Sequence, residues 1–194
     1  MIVFALAGWS GFFVMAVELL SGRVLAPSFG NSIYVWGAVI TVFMLALAVG
    51  YLAGGHFSVF SPSLRRLGTL LIAAGLTALP VVLFGNAVLD WIFDRVTDPR
   101  YGSLLASALL FFVPTAISGA VSPYAVRLLV SDLSGSGKSA GSLYFVSTFG
   151  SAAGTILTSF YLVLLFEVNS IVLGLVLISV VLGLIAVVRR EPAR

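Results

Sequence analysis

The sequence predicts an all-α integral membrane protein with six transmembrane helices, and three observations carry that expectation. Hydrophobic residues make up 60% of the chain and charged residues 9%, with a mean hydropathy of +1.18, whereas soluble domains carry roughly 25% charge. Apolar runs near the ~20 residues that cross a ~30 Å hydrocarbon core recur six times. The stretches between them are too short to bury a core of their own. Residues 1–194 therefore read as a single transmembrane domain.

The first run covers residues 2–23. It has no basic residue in front of it and outlasts the apolar part of a signal peptide, so a retained helix is expected. Glu18 lies within it and Arg23 at its edge. An ionisable group at the centre of a bilayer costs at least ~2.5 kcal/mol, so such residues mark structure or function. At 1.5 Å per residue Glu18 lies ~24 Å along the helix, and Arg23 falls near the outer boundary. Five residues correspond to ~140° of rotation, so the two do not pair unless Gly22 or Pro27 distorts the turn. Glu18 then serves either a structural hydrogen bond to a neighbouring Ser or Tyr, or a contact to a cation or proton. Arg23 is expected to snorkel to the interface.

The second run, 33–54, ends in Gly50-Tyr-Leu-Ala-Gly54. The third, 67–84, carries Pro80, and the fourth, 104–121, carries Pro114. Each proline is expected to kink its helix or end it. Between these two runs Asn86, Asp90 and Asp94 repeat every four residues among aromatic and aliphatic ones. That pattern predicts a short interfacial helix over 86–96 with an outward acidic face, Asp90 and Asp94, which either gathers cations or is simply solvated. The fifth run, 143–166, holds Gly150-Ser-Ala-Ala-Gly154, extended by Ser147 and Thr158, and the sixth covers 171–188. Stripes of small residues let helices approach closely, within one subunit or between two.

Charge sets the expected orientation. Arg65, Arg66, Arg127, Lys138, Arg189, Arg190 and Arg194 fall on the side of the termini, against Arg23, Arg95 and Arg100 on the other. The excess of basic residues puts both termini in the cytoplasm.

Catalytic chemistry finds little footing. With no cysteine there is no thiolate ligand or thiol nucleophile. The one histidine, His56, is expected in a loop after Gly54-Gly55, at the interface and with no neighbouring acid or thiol in sequence. Metal-ligand spacings and nucleophile motifs are missing, so no catalytic residue, metal or cofactor is assigned, and nothing points to nucleic acid. The run Asp132-Leu-Ser-Gly-Ser-Gly-Lys138-Ser139 ends like a phosphate-binding loop, but Asp132 replaces its first glycine and no strand precedes it. A flexible glycine-serine loop accounts for it.

Several blocks together carry a family resemblance. Glu18-Leu-Leu-Ser-Gly-Arg23-Val-Leu-Ala-Pro-Ser-Phe-Gly30-Asn-Ser-Ile-Tyr34-Val-Trp36, Gly50-Tyr-Leu-Ala-Gly-Gly55, Ser118-Gly-Ala-Val-Ser122-Pro123-Tyr-Ala-Val-Arg127 and Gly141-Ser-Leu-Tyr144-Phe-Val-Ser-Thr-Phe-Gly150 follow one another in order. The chain resembles the membrane part of bacterial membrane-bound spermidine synthases, or fused major-facilitator/spermidine synthase proteins, over nearly its whole length. Within these blocks the candidate ligand contacts are Glu18, Arg23, Tyr34, Trp36, Ser122 and Arg127.

The resemblance implies a bundle like half of a major facilitator, in the bacterial cytoplasmic (inner) membrane. It also implies an association with a soluble aminopropyltransferase domain or subunit that makes spermidine. No catalytic position of that enzyme matches here, so the chain is expected to be a stand-alone membrane subunit or part of a longer protein. Three functions follow: a non-catalytic module that tethers, regulates or feeds the synthase; a polyamine or small-molecule carrier working as a homodimer of six-helix units; or a structural membrane protein whose link to polyamine metabolism is inherited and not used. A facilitator half consists of two inverted three-helix repeats. Arg23 and Pro27 of the first helix invite comparison with Arg127 and Pro123 of the fourth. The acidic residue of the facilitator signature is missing after helix two.

Overall fold

Three helices of this chain start at a side-chain cap or a proline, and the first stops at a glycine. The computed structural model describes residues 1–60, 62–130 and 135–189, and among them every regular element is helical. Helix α1 (Ile2–Phe29) ends at Gly30, whose φ of 77° is the left-handed conformation that glycine adopts without strain. Helix α2 spans Ile33–Phe57. Ser63 caps α3 (Leu64–Leu76) by accepting from the Arg66 N–H at 3.3 Å. Helix α4 (Leu79–Phe93) follows, with Pro80 in its first turn. Asp98 caps α5 (Pro99–Leu129) through the Arg100 N–H at 2.9 Å, and Pro99 opens that helix. Helix α6 (Ser136–Leu157) runs through a π-helical turn, Thr158–Leu162, into α7 (Val163–Leu165), and α8 covers Val168–Val188.

Six helices or helix pairs are long and apolar enough to span a membrane: Ile2–Phe29, Ile33–Phe57, Leu64–Phe93, Pro99–Leu129, Ser136–Leu165 and Val168–Val188. They make this a multi-pass membrane protein with one bundle. Met1 and Arg189 lie at one end of it, the terminal end below; the opposite end is the far end.

Several expectations change. The predicted interfacial helix over 86–96 does not exist as a separate element: those residues finish α4, and Leu89 and Ile92 are buried inside the bundle. Asp90 and Asp94 remain exposed at its far end. Pro80 does break the third span, where the Thr77 hydroxyl lies 2.7 Å from the Ala73 carbonyl, which also accepts the Thr77 N–H, and 3.1 Å from the Ala74 carbonyl. Pro114 ends nothing, because α5 continues through it and through Pro123. Buried Pro114 is held by packing on all sides. His56 lies in the last turn of α2, not in a loop. Every span outruns its apolar run at one end or both. Hydropathy falls at the first charged residue, whereas helical hydrogen bonding continues past the hydrocarbon, about 46 Å for α5. Asp132, Arg190 and Arg194 lie outside the described residues.

The spans pair in a regular pattern. The first lies against the fifth, the second against the fourth, and the third against the sixth. Exchanging spans one to three with spans four to six returns the same set of pairs. The register repeats too. Gly150 and Gly154 are pressed on the carbonyls of Gly8 and Phe12, and Gly50 and Gly54 on those of Ala116 and Ala120. Gly11 faces the Ser147 carbonyl just as Gly119 faces that of Leu47. Thus 8, 11 and 12 of the first span correspond to 116, 119 and 120 of the fourth by one constant displacement. Likewise 47, 50 and 54 of the second correspond to 147, 150 and 154 of the fifth. Successive three-span units cross the bundle in opposite senses, so the repeat is inverted. Both GxxxG stripes pack inside the subunit. The comparison of Arg23 and Pro27 with Arg127 and Pro123 does not hold, since the observed register sets Arg127 opposite Leu19 and Pro123 opposite Met15.

Candidate functional site

The inverted repeat leaves a cavity of about 220 Å³ where its two halves meet, lined by Ser10, Tyr51, Ser118, Ser122, Ser147 and Ser151 with Gly11, Gly119, Val14, Met15 and Leu47. Apart from Met15, each lining residue has its repeat counterpart in the lining: Ser10 with Ser118, Gly11 with Gly119, Val14 with Ser122, Leu47 with Ser147, Tyr51 with Ser151. The Ser10 hydroxyl donates to the Ser118 carbonyl at 3.0 Å. A residue touches its own counterpart only on the symmetry axis, so the axis passes through this contact.

Close helix packing creates the cavity. Gly11 and Gly119 remove side chains that would otherwise fill it, because a Cβ on either would press on a carbonyl of the adjacent span. Its floor, Ser10 and Ser118, is 5% and 3% exposed, while Tyr51 at the rim is 50% exposed. The Ser118 hydroxyl has no hydrogen-bond partner among the described residues. Pro123 has no N–H to give the Gly119 carbonyl one turn earlier, which leaves another acceptor at the wall. Hydroxyls both donate and accept, so the site can ligate an ammonium, a polar neutral solute or water.

A second cavity, about 250 Å³, opens toward the far end and is lined by Gly22, Arg23, Asn31, Trp36, Thr158 and Ser159 among others. The Trp36 ring lies over Gly22, where a Cβ would come within 2.8 Å of it. Its Nε1–H donates to Asn31 Oδ1 at 2.6 Å.

The six predicted ligand contacts therefore divide. Ser122 lines the central cavity, and Arg23 and Trp36 line the far one. Glu18 stands on α1 between them, one turn from Met15 on one side and Gly22 on the other. Half-buried, it has neither an ion pair nor a side-chain hydrogen bond among the described residues. Tyr34 is exposed beneath the Arg100 guanidinium, 5.5 Å from its ring centre. Arg127 is exposed at the terminal end. Asp90 and Asp94 belong to neither cavity.

The one ion pair among the described residues joins Asp98 and Arg100 at 2.9 Å on the far surface. Hydrogen bonds from the Arg100 side chain and backbone N–H hold the Asp98 carboxyl below the usual aspartate range. Among the described residues no three His, Asp or Glu side chains gather as metal ligands.

Sequence reasoning missed Ser10, Tyr51, Ser118 and Ser151, and treated Ser147 only as packing. The legible signal was the Ser-Gly dipeptide, which occurs at Ser10-Gly11 in the first span and again at Ser118-Gly119 in the fourth.

Fold and cavity together define a multi-pass helical membrane protein with a polar site on an inverted-repeat axis. No protein-family model matches the chain, and no curated protein or solved structure matches it.

Proposed function

We propose that this chain is a non-catalytic, solute-handling membrane module of polyamine metabolism, whose central cavity binds a small polar cation and feeds it to an aminopropyltransferase. The observation that carries the reading is the ring of hydroxyls at the contact of repeat-related residues Ser10 and Ser118. Transporters built from inverted repeats hold their substrates at the repeat interface near the membrane midplane. Oxygen acceptors there suit an ammonium group, and polyamine is the candidate through the resemblance to membrane-bound spermidine synthases. The bundle is then half of a major-facilitator-type unit in the bacterial inner membrane. Its terminal end is cytoplasmic by the excess of Arg65, Arg66, Arg127, Lys138 and Arg189 there.

A second reading, a stand-alone carrier made of two six-helix units, is favoured by the rim of the cavity. Tyr51 is half-exposed on the bundle's flank, where a hydroxyl facing lipid lacks a partner. Reconstituting the chain with labelled spermidine separates the readings. Uptake into proteoliposomes that is lost in Ser118→Val and Ser122→Val supports the carrier. Saturable spermidine binding without uptake, together with co-purification of a soluble aminopropyltransferase, supports the feeding module. Absence of binding, uptake and co-purification sinks both.

A further inference from the structure

The far-end cavity carries a different chemistry from the central one. Arg23 lines it, exposed at its mouth and free of any ion pair: Glu18 is not within ion-pair distance, and no other described carboxylate pairs with it. Thr158, which is fully buried and forms part of the wall, has a hydroxyl with no hydrogen-bond partner. A buried hydroxyl left unpaired costs ~1–3 kcal/mol, so such a group marks a place where a partner is missing.

The backbone at Thr158 is unusual as well. The π-helical turn Thr158–Leu162 starts there, with the Val163 N–H reaching back to the Thr158 carbonyl. Such turns insert one residue into a helix and re-aim its side chains, and they recur at functional sites. Here the turn carries Thr158 and Ser159 to the same wall. The opposite wall is Trp36, whose ring lies against Gly22 and donates its N–H to Asn31 Oδ1. That bond occupies the Asn31 oxygen and leaves its NH₂ as a donor. The polar side chains around the space are thus one guanidinium, two hydroxyls and one amide NH₂: every one can donate, and one is a cation.

We propose that this cavity is a binding site for a phosphate group, held by Arg23 with Thr158, Ser159 and Asn31 as neutral donors. Guanidinium presents several N–H groups in a fixed fork that matches phosphate oxygens. The cavity exceeds a bare phosphate in size, and Trp36 offers a flat apolar wall beside it, so two sources share this chemistry: free inorganic phosphate and the headgroup of an anionic phospholipid.

The test uses the full chain, purified in detergent, with Trp9→Phe and Trp91→Phe so that Trp36 is the sole tryptophan. Its emission is titrated with inorganic phosphate, with short-chain phosphatidylglycerol, and with chloride as control. A saturable change with phosphate identifies the soluble source; one seen only with phosphatidylglycerol identifies the lipid. In either case Arg23→Gln raises the half-saturation point about tenfold or more. Thr158→Val raises it about threefold, and Arg23→Lys retains binding at intermediate strength. A starting Trp36 emission unchanged in Arg23→Lys and Arg23→Gln shows that the wall is intact. No saturable response to either ligand, or a response equally strong in Arg23→Gln and Thr158→Val, overturns the proposal.

Discussion

The two halves of the repeat share a backbone register and differ in what they hang on it. In the seam between spans one and five, Gly150 and Gly154 meet the carbonyls of Gly8 and Phe12. In the seam between spans two and four, Gly50 and Gly54 meet those of Ala116 and Ala120. The backbones match residue for residue, yet the second half supplies Ser118, Ser122, Ser147 and Ser151 to the central cavity where the first supplies Ser10, Val14, Leu47 and Tyr51. Packing geometry is what the repeat preserves. Polarity is added mostly from one side, so the site is chemically lopsided inside a symmetric frame.

The comparison breaks first at the glycines. A side chain at Gly50, Gly54, Gly150 or Gly154 would run into a backbone carbonyl, which cannot rotate away. Each Gly→Ala change should cost ~1–3 kcal/mol by overpacking, read as a lower thermal midpoint in detergent. Gly50→Ala and Gly150→Ala should cost the same; if one is silent while the other unfolds the protein, the seams are not equivalent. Leucine at either position should prevent folding outright.

Smaller effects sharpen the picture. Ser10→Ala removes the bond on the axis and should cost ~0.6 kcal/mol, the average for a hydrogen bond between membrane helices. Val14→Ser, which copies Ser122 into the first half, should be tolerated. Trp9 joins span one to span six by donating to the Ser179 hydroxyl at 2.8 Å. A double-mutant cycle of Trp9→Phe and Ser179→Ala should return a coupling of similar size, ~0.6 kcal/mol. Zero coupling would mean the bond is not made in solution.

The least effect is expected from pH. Asp98 has a folded-state pKa below its unfolded one because Arg100 donates to it. Its contribution is therefore present in full above the ordinary aspartate range and is lost as pH falls through the lowered value. On an exposed pair this is a slight fall in thermal midpoint in acid. Asp98→Asn should abolish that fall, and an undiminished slope in the variant would assign it elsewhere.

Much of the fold was legible because hydropathy reports directly on the solvent a helix needs. All six spans appear as apolar runs, and Pro80 marks the break in the third. What hydropathy misreads is a helix end, since a charged residue such as Arg100 or Arg127 halts an apolar run without halting hydrogen bonding. It also misreads amphipathic periodicity near an end: Asp90 and Asp94 look interfacial although Leu89 and Ile92 are inside the bundle. The site was harder. Arg23 and Glu18 stand out because charge in an apolar run is costly. Serines in a membrane helix cost little and serve packing, so Ser10 and Ser151 gave no warning until the register brought them together.

The bond between Ser10 and Ser118 has one further property. Because the axis exchanges these residues, a mirror bond exists in principle, with the Ser118 hydroxyl donating to the Ser10 carbonyl. The fold uses one member of this couple, Ser10 as donor. Which serine donates is thus a two-valued label that tells the two halves of the repeat apart.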